Sequence, residues 1–222
     1  MTVPPALTAV PLAELEVSRR PKALHWSAAI QLVVIAALVG FAILMFDDTN
    51  RFGAASDAVA NRMDHDLGGE QSGGFLYWDL GLTLISLIAA AGLTAVVILV
   101  YVWPSLIARI PLIVANAGAA LVFGGLATLT AAVAIFTTTD AADRNSNDYQ
   151  TAVNAIYFGD MSVSLKVTEV LLAVLLIIGP IGASVLLLWP SVNRFHEGRV
   201  ALRRFTAAAR GRSLVPVYGI RR

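Results

Sequence analysis

Residues 157–190 read YFGDMSVSLKVTEVLLAVLLIIGPIGASVLLLWP. An aromatic pair and an acid open the stretch, a long aliphatic run follows, and Trp189-Pro190 closes it with Arg194 just beyond. A helix rises 1.5 Å per residue, so about 20 apolar residues cross a hydrocarbon layer of about 30 Å. The run is too long for the core helix of a soluble domain. Aromatic residues at both ends sit where a membrane interface places them. Residues 77–104 repeat the plan, with Tyr77-Trp78-Asp79 at one end and Tyr101, Trp103 and Pro104 at the other.

Composition widens the same reading. Hydrophobic residues make up 57% of the chain and charged residues 14%, against roughly 45–50% and about 25% in soluble domains. The surplus falls in four runs, which sets the expected fold class: an all-α integral membrane protein of four transmembrane helices. Spans are expected at 24–46, 75–103, 111–136 and 161–189, arranged as two tandem hairpins in an up-down-up-down bundle. Between them lie a tail at 1–23, a polar loop at 47–74, a short turn at 104–110, a second polar loop at 137–160 and a basic tail at 190–222. Asp47-Asp48 is expected to end the first span. Within the loop beyond it, Ser56–Asp66 reads as a short helix capped by Ser56, and Pro11 suits the first turn of a surface helix in the N-terminal tail. The first span follows Arg19-Arg20-Pro21-Lys22, is too long for a signal-peptide core and has no small-residue cleavage site, so it is expected to be retained.

Charge gives the orientation. Arg19, Arg20, Lys22, Arg109 and the eight arginines after Pro190 fall on one side, whereas the opposite loops carry Arg51, Arg62 and Arg144. Basic residues favour the cytoplasm, so both termini and the middle turn are expected inside and the two long loops outside. Fourteen arginines against two lysines, with abundant alanine, suggest a bacterial plasma membrane. The chain also resembles itself: Trp103-Pro104-Ser105 and Trp189-Pro190-Ser191 are 86 residues apart, and Gln31 and Asn116 are 85 apart. An internal repeat of one helical pair accounts for both spacings.

Ionisable groups within a bilayer are candidate functional residues. Counted outward from the Trp-Pro ends, Asp79, Asp160 and Glu169 fall at the far interface, where Lys166 and Glu169 are three residues apart and able to pair. No buried charge is expected. Arg20-Pro21-Lys22-Ala23-Leu24-His25-Trp26 resembles the opening of bacterial b-type cytochromes, in which a His beside a Trp ligates haem; the resemblance covers seven residues and would make His25 a ligand. A six-coordinate haem needs a second imidazole on a span, and the other histidines are His65, in a loop, and His196, in the polar basic tail. No cofactor is therefore expected, and His25 reads as an interfacial residue. Asp64-His65-Asp66 and Asp143-Arg144-Asn145-Ser146-Asn147 are metal-like only in part: three adjacent residues seldom converge, and the second lacks the Gly and Glu of a calcium loop. They read as solvated turns, and no metal is expected. Cysteine is absent, which removes disulfides and thiolate sites. No nucleophile elbow, phosphate loop or zinc-protease motif occurs, so catalysis has no candidate residues.

Packing surface is what the spans do offer. Small residues recur every four positions as Ser86, Ala90 and Thr94, and as Ala120, Gly124 and Thr128, with Gly179 and Gly182 flanking Pro180. Such stripes let helices approach closely. In the tail, Phe195, Leu202, Phe205 and Ala209 share a helical face ringed by Arg194, Arg199, Arg203, Arg204 and Arg210, which suits anionic lipid better than nucleic acid. The expected function is a non-catalytic accessory or scaffold subunit. It would pack in the lipid bilayer against another integral membrane protein or a copy of itself. A small-solute or ion transporter lined by Gln31, Asn116, Ser86 and Thr94 is the second reading.

Overall fold

The computed structural model describes residues 20–63, 70–102, 106–137 and 140–198. The tail around Pro11, Asp64-His65-Asp66, the turn Trp103-Pro104-Ser105 and Arg199, Arg203, Arg204 and Arg210 lie outside the described residues, as do the side chains of Tyr77, Trp78 and Asp79. Every regular element among the described residues is helical. In order these are α1 (Lys22–Met63), α2 (Glu70–Val102), α3 (Leu106–Ala119), a π turn (Ala120–Gly124), α4 (Gly125–Phe136), α5 (Ala141–Arg144), α6 (Tyr149–Gly159) and α7 (Val163–Leu187). Among the described residues, four stretches are long and apolar enough to cross a membrane: α1, Leu80–Val102, Arg109–Phe136 and α7. Their outward faces carry large apolar side chains such as Leu121, Phe136 and Val163, each nearly four-fifths exposed. Surfaces of that kind suggest a chain embedded in lipid.

Against expectation, Asp47-Asp48 does not end α1; the helix runs 42 residues without a break, about 63 Å at the standard rise. Its buried residues explain why. Leu24, Ser27, Gln31, Val34, Leu38, Phe41, Met45 and Asp48 follow one another at alternating steps of three and four, and Ala55 and Val59 continue the same seam. One face therefore stays covered along the whole helix, first by other spans and then by α6. Ser56 is a buried mid-helix residue, not a cap; its hydroxyl meets that of Tyr149. The expected second loop likewise holds two helices. Asp140 and Asp143 form a reciprocal capping box on α5, and Asp148 caps α6. Ala55, Val59, Ala152 and Val153 then make a second small core with Phe52, Met63, Ile156 and Tyr157 around it.

In the bundle, α1 lies between α2 and α7, and α7 between α1 and the α3–α4 span. Paired contacts ascend one helix as they descend the other. Tyr101 meets His25 and Thr83 meets the Ala42 carbonyl; Ser27 meets the Ala183 carbonyl, Val34 abuts Gly179, and Leu172 abuts Gly40. Asn116 reaches Ser184 and Gly124 abuts Ile177. So α1 is antiparallel to α2 and α7, and α7 is antiparallel to the α3–α4 span. Buried positions on α7 are Glu169, Ala173, Leu176, Pro180, Ala183 and Leu187, again at steps of four and three.

On the α3–α4 span the buried face is Ala119, Phe123, Ala127 and Ala131. The expected stripe Ala120, Gly124, Thr128 is one residue off this face: Gly124 is buried, Ala120 half-buried and Thr128 exposed. Four-residue steps outrun the 3.6-residue turn, and the wider π turn takes up part of that drift. On α2, Ser86 and Ala90 are buried and Thr94 half-buried; both hydroxyls bond carbonyls of their own helix.

Two glycines allow backbone-close packing. A Cβ on Gly124 would lie 2.7 Å from the Ile177 side chain and 3.2 Å from the Leu176 carbonyl oxygen, and one on Gly179 would lie 2.6 Å from Val34. Pro180 has no N–H to give to Leu176, four residues back, so the π turn sits against the carbonyl that the helix itself leaves short. Replacing Gly124 or Gly179 by Val is expected to cost about 1–3 kcal/mol each, measured by reversible unfolding in mixed detergent. Gly118→Ala and Gly182→Ala, where nothing lies within 4 Å, serve as controls and should cost nothing measurable.

Candidate functional site

Polar residues interrupt the apolar seam at two levels. At the N-terminal end of α1, Gln31 Nε2 donates to Asn116 Oδ1 at 2.9 Å, and Asn116 Nδ2 donates to Ser184 Oγ at 3.0 Å. Ser27 Oγ donates to the Ala183 carbonyl at 3.1 Å. Gln31, Asn116 and Ser27 are each 1% exposed, so three spans share one desolvated node. Buried amides and hydroxyls need partners, and most here have them; Gln31 Oε1 is left without one. Nearer the helix ends Arg109, 3% exposed, donates to the Leu187 carbonyl at 2.8 Å and to Asn193 Oδ1 at 2.7 Å. Those bonds satisfy the C-terminal end of α7, yet Nε and one terminal nitrogen of Arg109 are buried without a hydrogen bond.

Residues 190–198 are helical and fold back onto this end. His196 is fully buried and stacks edge-on with Phe195, so it does not lie in a solvated basic segment as expected. Val192 and Phe195 belong to the main core. The face assigned to lipid thus begins inside the protein, while Arg194 stays exposed. His25 is exposed; its Nδ1 is 2.8 Å from the Tyr101 hydroxyl, and the Arg20 guanidinium lies over the same Tyr ring at 4.6 Å.

About 26 Å along α1 from Gln31, at 1.5 Å per residue, the seam turns polar again. Asp48, 7% exposed, pairs with Arg51 at 3.5 Å and accepts from the Tyr157 hydroxyl. Arg51 lies 5.3 Å from the Tyr157 ring centre. Burial, followed by the Asp48 charge, holds the Tyr157 phenol well above its ordinary range, so it remains a donor at any working pH. Glu169 faces this group from α7 and is 3% exposed. The heptad-like spacing of α7 turns it inward, and Asp48, Arg51 and Lys166 are the charges that act on it. The expectation of no buried charge is therefore overturned by Asp48, Arg109 and Glu169. Asp160, by contrast, is exposed and pairs with Arg144 at 2.8 Å. Among the described residues, no group of three His, Asp or Glu could hold a metal ion.

Among the described residues two cavities lie on this half of the molecule, the first about 21 Å beyond Asp48 at the end of α1 and the second beside the Asp48–Glu169 group. One, of about 510 Å³, is lined by Arg62, Met63, Asn145, Asn147 and Tyr149. The other, of about 340 Å³, is lined by Asp47, Arg51, Asp160, Ser162, Ser164, Leu165 and Thr168. Arg62 donates to the carbonyls of Arg144 and Ser146, which clamps the α5–α6 turn to α1. Between the two polar levels the seam is apolar, built from Val34, Ala37, Leu38, Phe41 and Met45 on α1 and Ala173 and Leu176 on α7. Of the polar path read from sequence, Gln31 and Asn116 do meet, whereas Ser86 and Thr94 bond within α2. No family model, no curated protein and no solved structure matches the chain.

Replacing Gln31 or Asn116 by Leu should each cost about 1–2 kcal/mol, because the partner amide is stranded in a dry site. A double-mutant cycle on the unfolding free energies should give a coupling of about 0.6–1.7 kcal/mol. At the other end, hydrogen bonds from the Thr151 hydroxyl and then its N–H hold the Asp148 carboxyl below the ordinary aspartate range. A carboxyl so lowered contributes fully above its unfolded value and fades as pH falls through its folded one. Amide-exchange protection of the first turn of α6 should therefore drop below about pH 4, and in Asp148→Ala at every pH.

Proposed function

We propose that the protein is a non-catalytic accessory or scaffold subunit of a bacterial plasma-membrane complex. It would span the bilayer as two tandem helical hairpins with both termini cytoplasmic. The basic ends and the acidic 47–74 and 137–160 segments support that orientation under the positive-inside rule, with Arg194 and the arginines after it facing anionic lipid. The observation that carries the functional reading is the unbroken α1. One helix serves both the membrane bundle and the small core of Ala55, Val59, Ala152 and Val153. A lobe built that way cannot swing on a linker; its position follows that of the bundle. Rigid display of a small folded lobe outside the bilayer is what a docking subunit needs, and the long apolar faces of α2 and α7 leave room for a membrane partner.

A transporter is the second reading, favoured by the buried Gln31–Asn116–Ser184 node and by Glu169. The apolar seam between the two polar levels weighs against a continuous path in this conformation. Loss of flux in liposomes on replacing Gln31 and Asn116 by Leu would favour transport over scaffolding.

Affinity purification from the native membrane in mild detergent, followed by mass spectrometry, tests the scaffold reading. A defined membrane partner at matching stoichiometry is the expected result, and a lone monomer counts against it. Ala152→Asp places a carboxylate in the fully buried second core. It should leave membrane insertion intact while lowering recovery of the partner by about tenfold or more, the equivalent of about 1.4 kcal/mol in binding.

A further inference from the structure

The second polar level has one contacting cation for two buried carboxylates. Asp48 and Glu169 are both buried carboxylates, and the cation within contact is Arg51, 3.5 Å from Asp48. Tyr157 from α6 spends its hydroxyl on Asp48. Lys166, three residues earlier on α7, acts on Glu169 through space but forms no ion pair with it. The Oε2 atom of Glu169 is buried with no hydrogen-bond partner. A carboxylate removed from water in this way needs a counter-charge.

A second observation says where one would come from. The 340 Å³ cavity is walled by Asp47, Arg51, Asp160, Ser162, Ser164 and Thr168. It adjoins the buried group along both helices: Asp47 precedes Asp48, Thr168 precedes Glu169, and Arg51 lines the cavity while pairing with Asp48. Its acceptors are carboxylate and hydroxyl oxygens, the ligands that hard cations take. The one fixed cation in its wall is already engaged by Asp48.

We propose that this end of the bundle holds a single exchangeable monovalent cation, with Glu169 as its buried counter-charge and the adjoining cavity as its access. The occupant is a proton or an alkali-metal ion, since either supplies the missing charge. The site is independent of the scaffold reading, because it rests on charge and geometry at one level of the α1–α7 seam. A cation bound only to the folded state stabilises it in proportion to the logarithm of its concentration, and that effect makes the site measurable without a known activity.

Thermal unfolding of the full-length protein in detergent, followed by tryptophan fluorescence, separates the occupants. Sodium or potassium replaces choline at constant ionic strength, and each series is repeated across the neutral pH range. A rise of about 5–10 °C at a hundredfold excess of the metal ion over its dissociation constant, absent in Glu169→Gln, establishes an alkali-metal site. A stability that falls with rising pH equally in choline and in sodium, and is flat in Glu169→Gln, establishes a proton. Wild-type protein indifferent to both variables, or Glu169→Gln responding as wild type does, overturns the proposal. Should Glu169→Gln fail to fold, Asp48→Asn decides: it frees Arg51 to neutralise Glu169 and must abolish the response, and a response that persists overturns the site.

Discussion

The rest of the structure depends on one uninterrupted seam along α1. From Leu24 to Val59 the covered positions alternate by three and four residues, the spacing that keeps one face of a helix against its neighbours. In the bundle that face meets α2 and α7, and at Ala55 and Val59 it meets α6. A break anywhere along it would separate lobe from bundle. Because there is none, a 42-residue helix acts as the common member of both cores.

Much of this was legible in the sequence, and the limits have physical causes. Four spans follow from the length of the apolar runs, since helix rise and bilayer thickness leave little choice. The continuation of α1 was hidden by Asp47-Asp48: two adjacent acids read as the water side of an interface, although only Asp47 leaves the seam and Asp48 stays on it. The signal was present in the spacing Met45, Asp48, Phe52, Ala55, Val59, which hydropathy alone does not weigh. The burial of Glu169 is hidden in a similar way, as depth along a helix says nothing of which way a side chain turns. The burial of His196 is hidden because the basic residues around it dominate the local composition, and Phe195, on an apolar face that suits lipid, packs into the core instead. Gln31 and Asn116 were singled out as equivalent amides 85 residues apart, and they prove to be bonded partners.

The site stands out because its groups break the rule of the seam. Around it the covered positions are Ala, Leu, Val and Phe, which pack without partners. Polar residues at such positions carry a desolvation cost that only complete pairing offsets. At the Gln31 level three helices supply most of that pairing. At the Glu169 level the pairing is complete for Asp48 and incomplete for its neighbour. The two levels therefore differ in kind, one a neutral network that leaves Gln31 Oε1 unpaired and the other a charged group that leaves a Glu169 oxygen unpaired.

Register explains why two such levels are useful in lipid. Aliphatic helices in a bilayer gain little by choosing one axial alignment over the next, since lipid tails are as apolar as leucine. A single polar contact fixes a point but leaves a pivot about it. Here Gln31–Asn116–Ser184 and Ser27–Ala183 pin the bundle at one level, and Asp48 with Arg51 and Tyr157 pins it about 26 Å away by the helix rise. The close approaches of Gly124 to α7 and of Gly179 to α1 fill the interval between them. Two pins and an intervening tight fit determine rotation as well as translation, which is how an alanine- and leucine-rich chain specifies one arrangement of its helices.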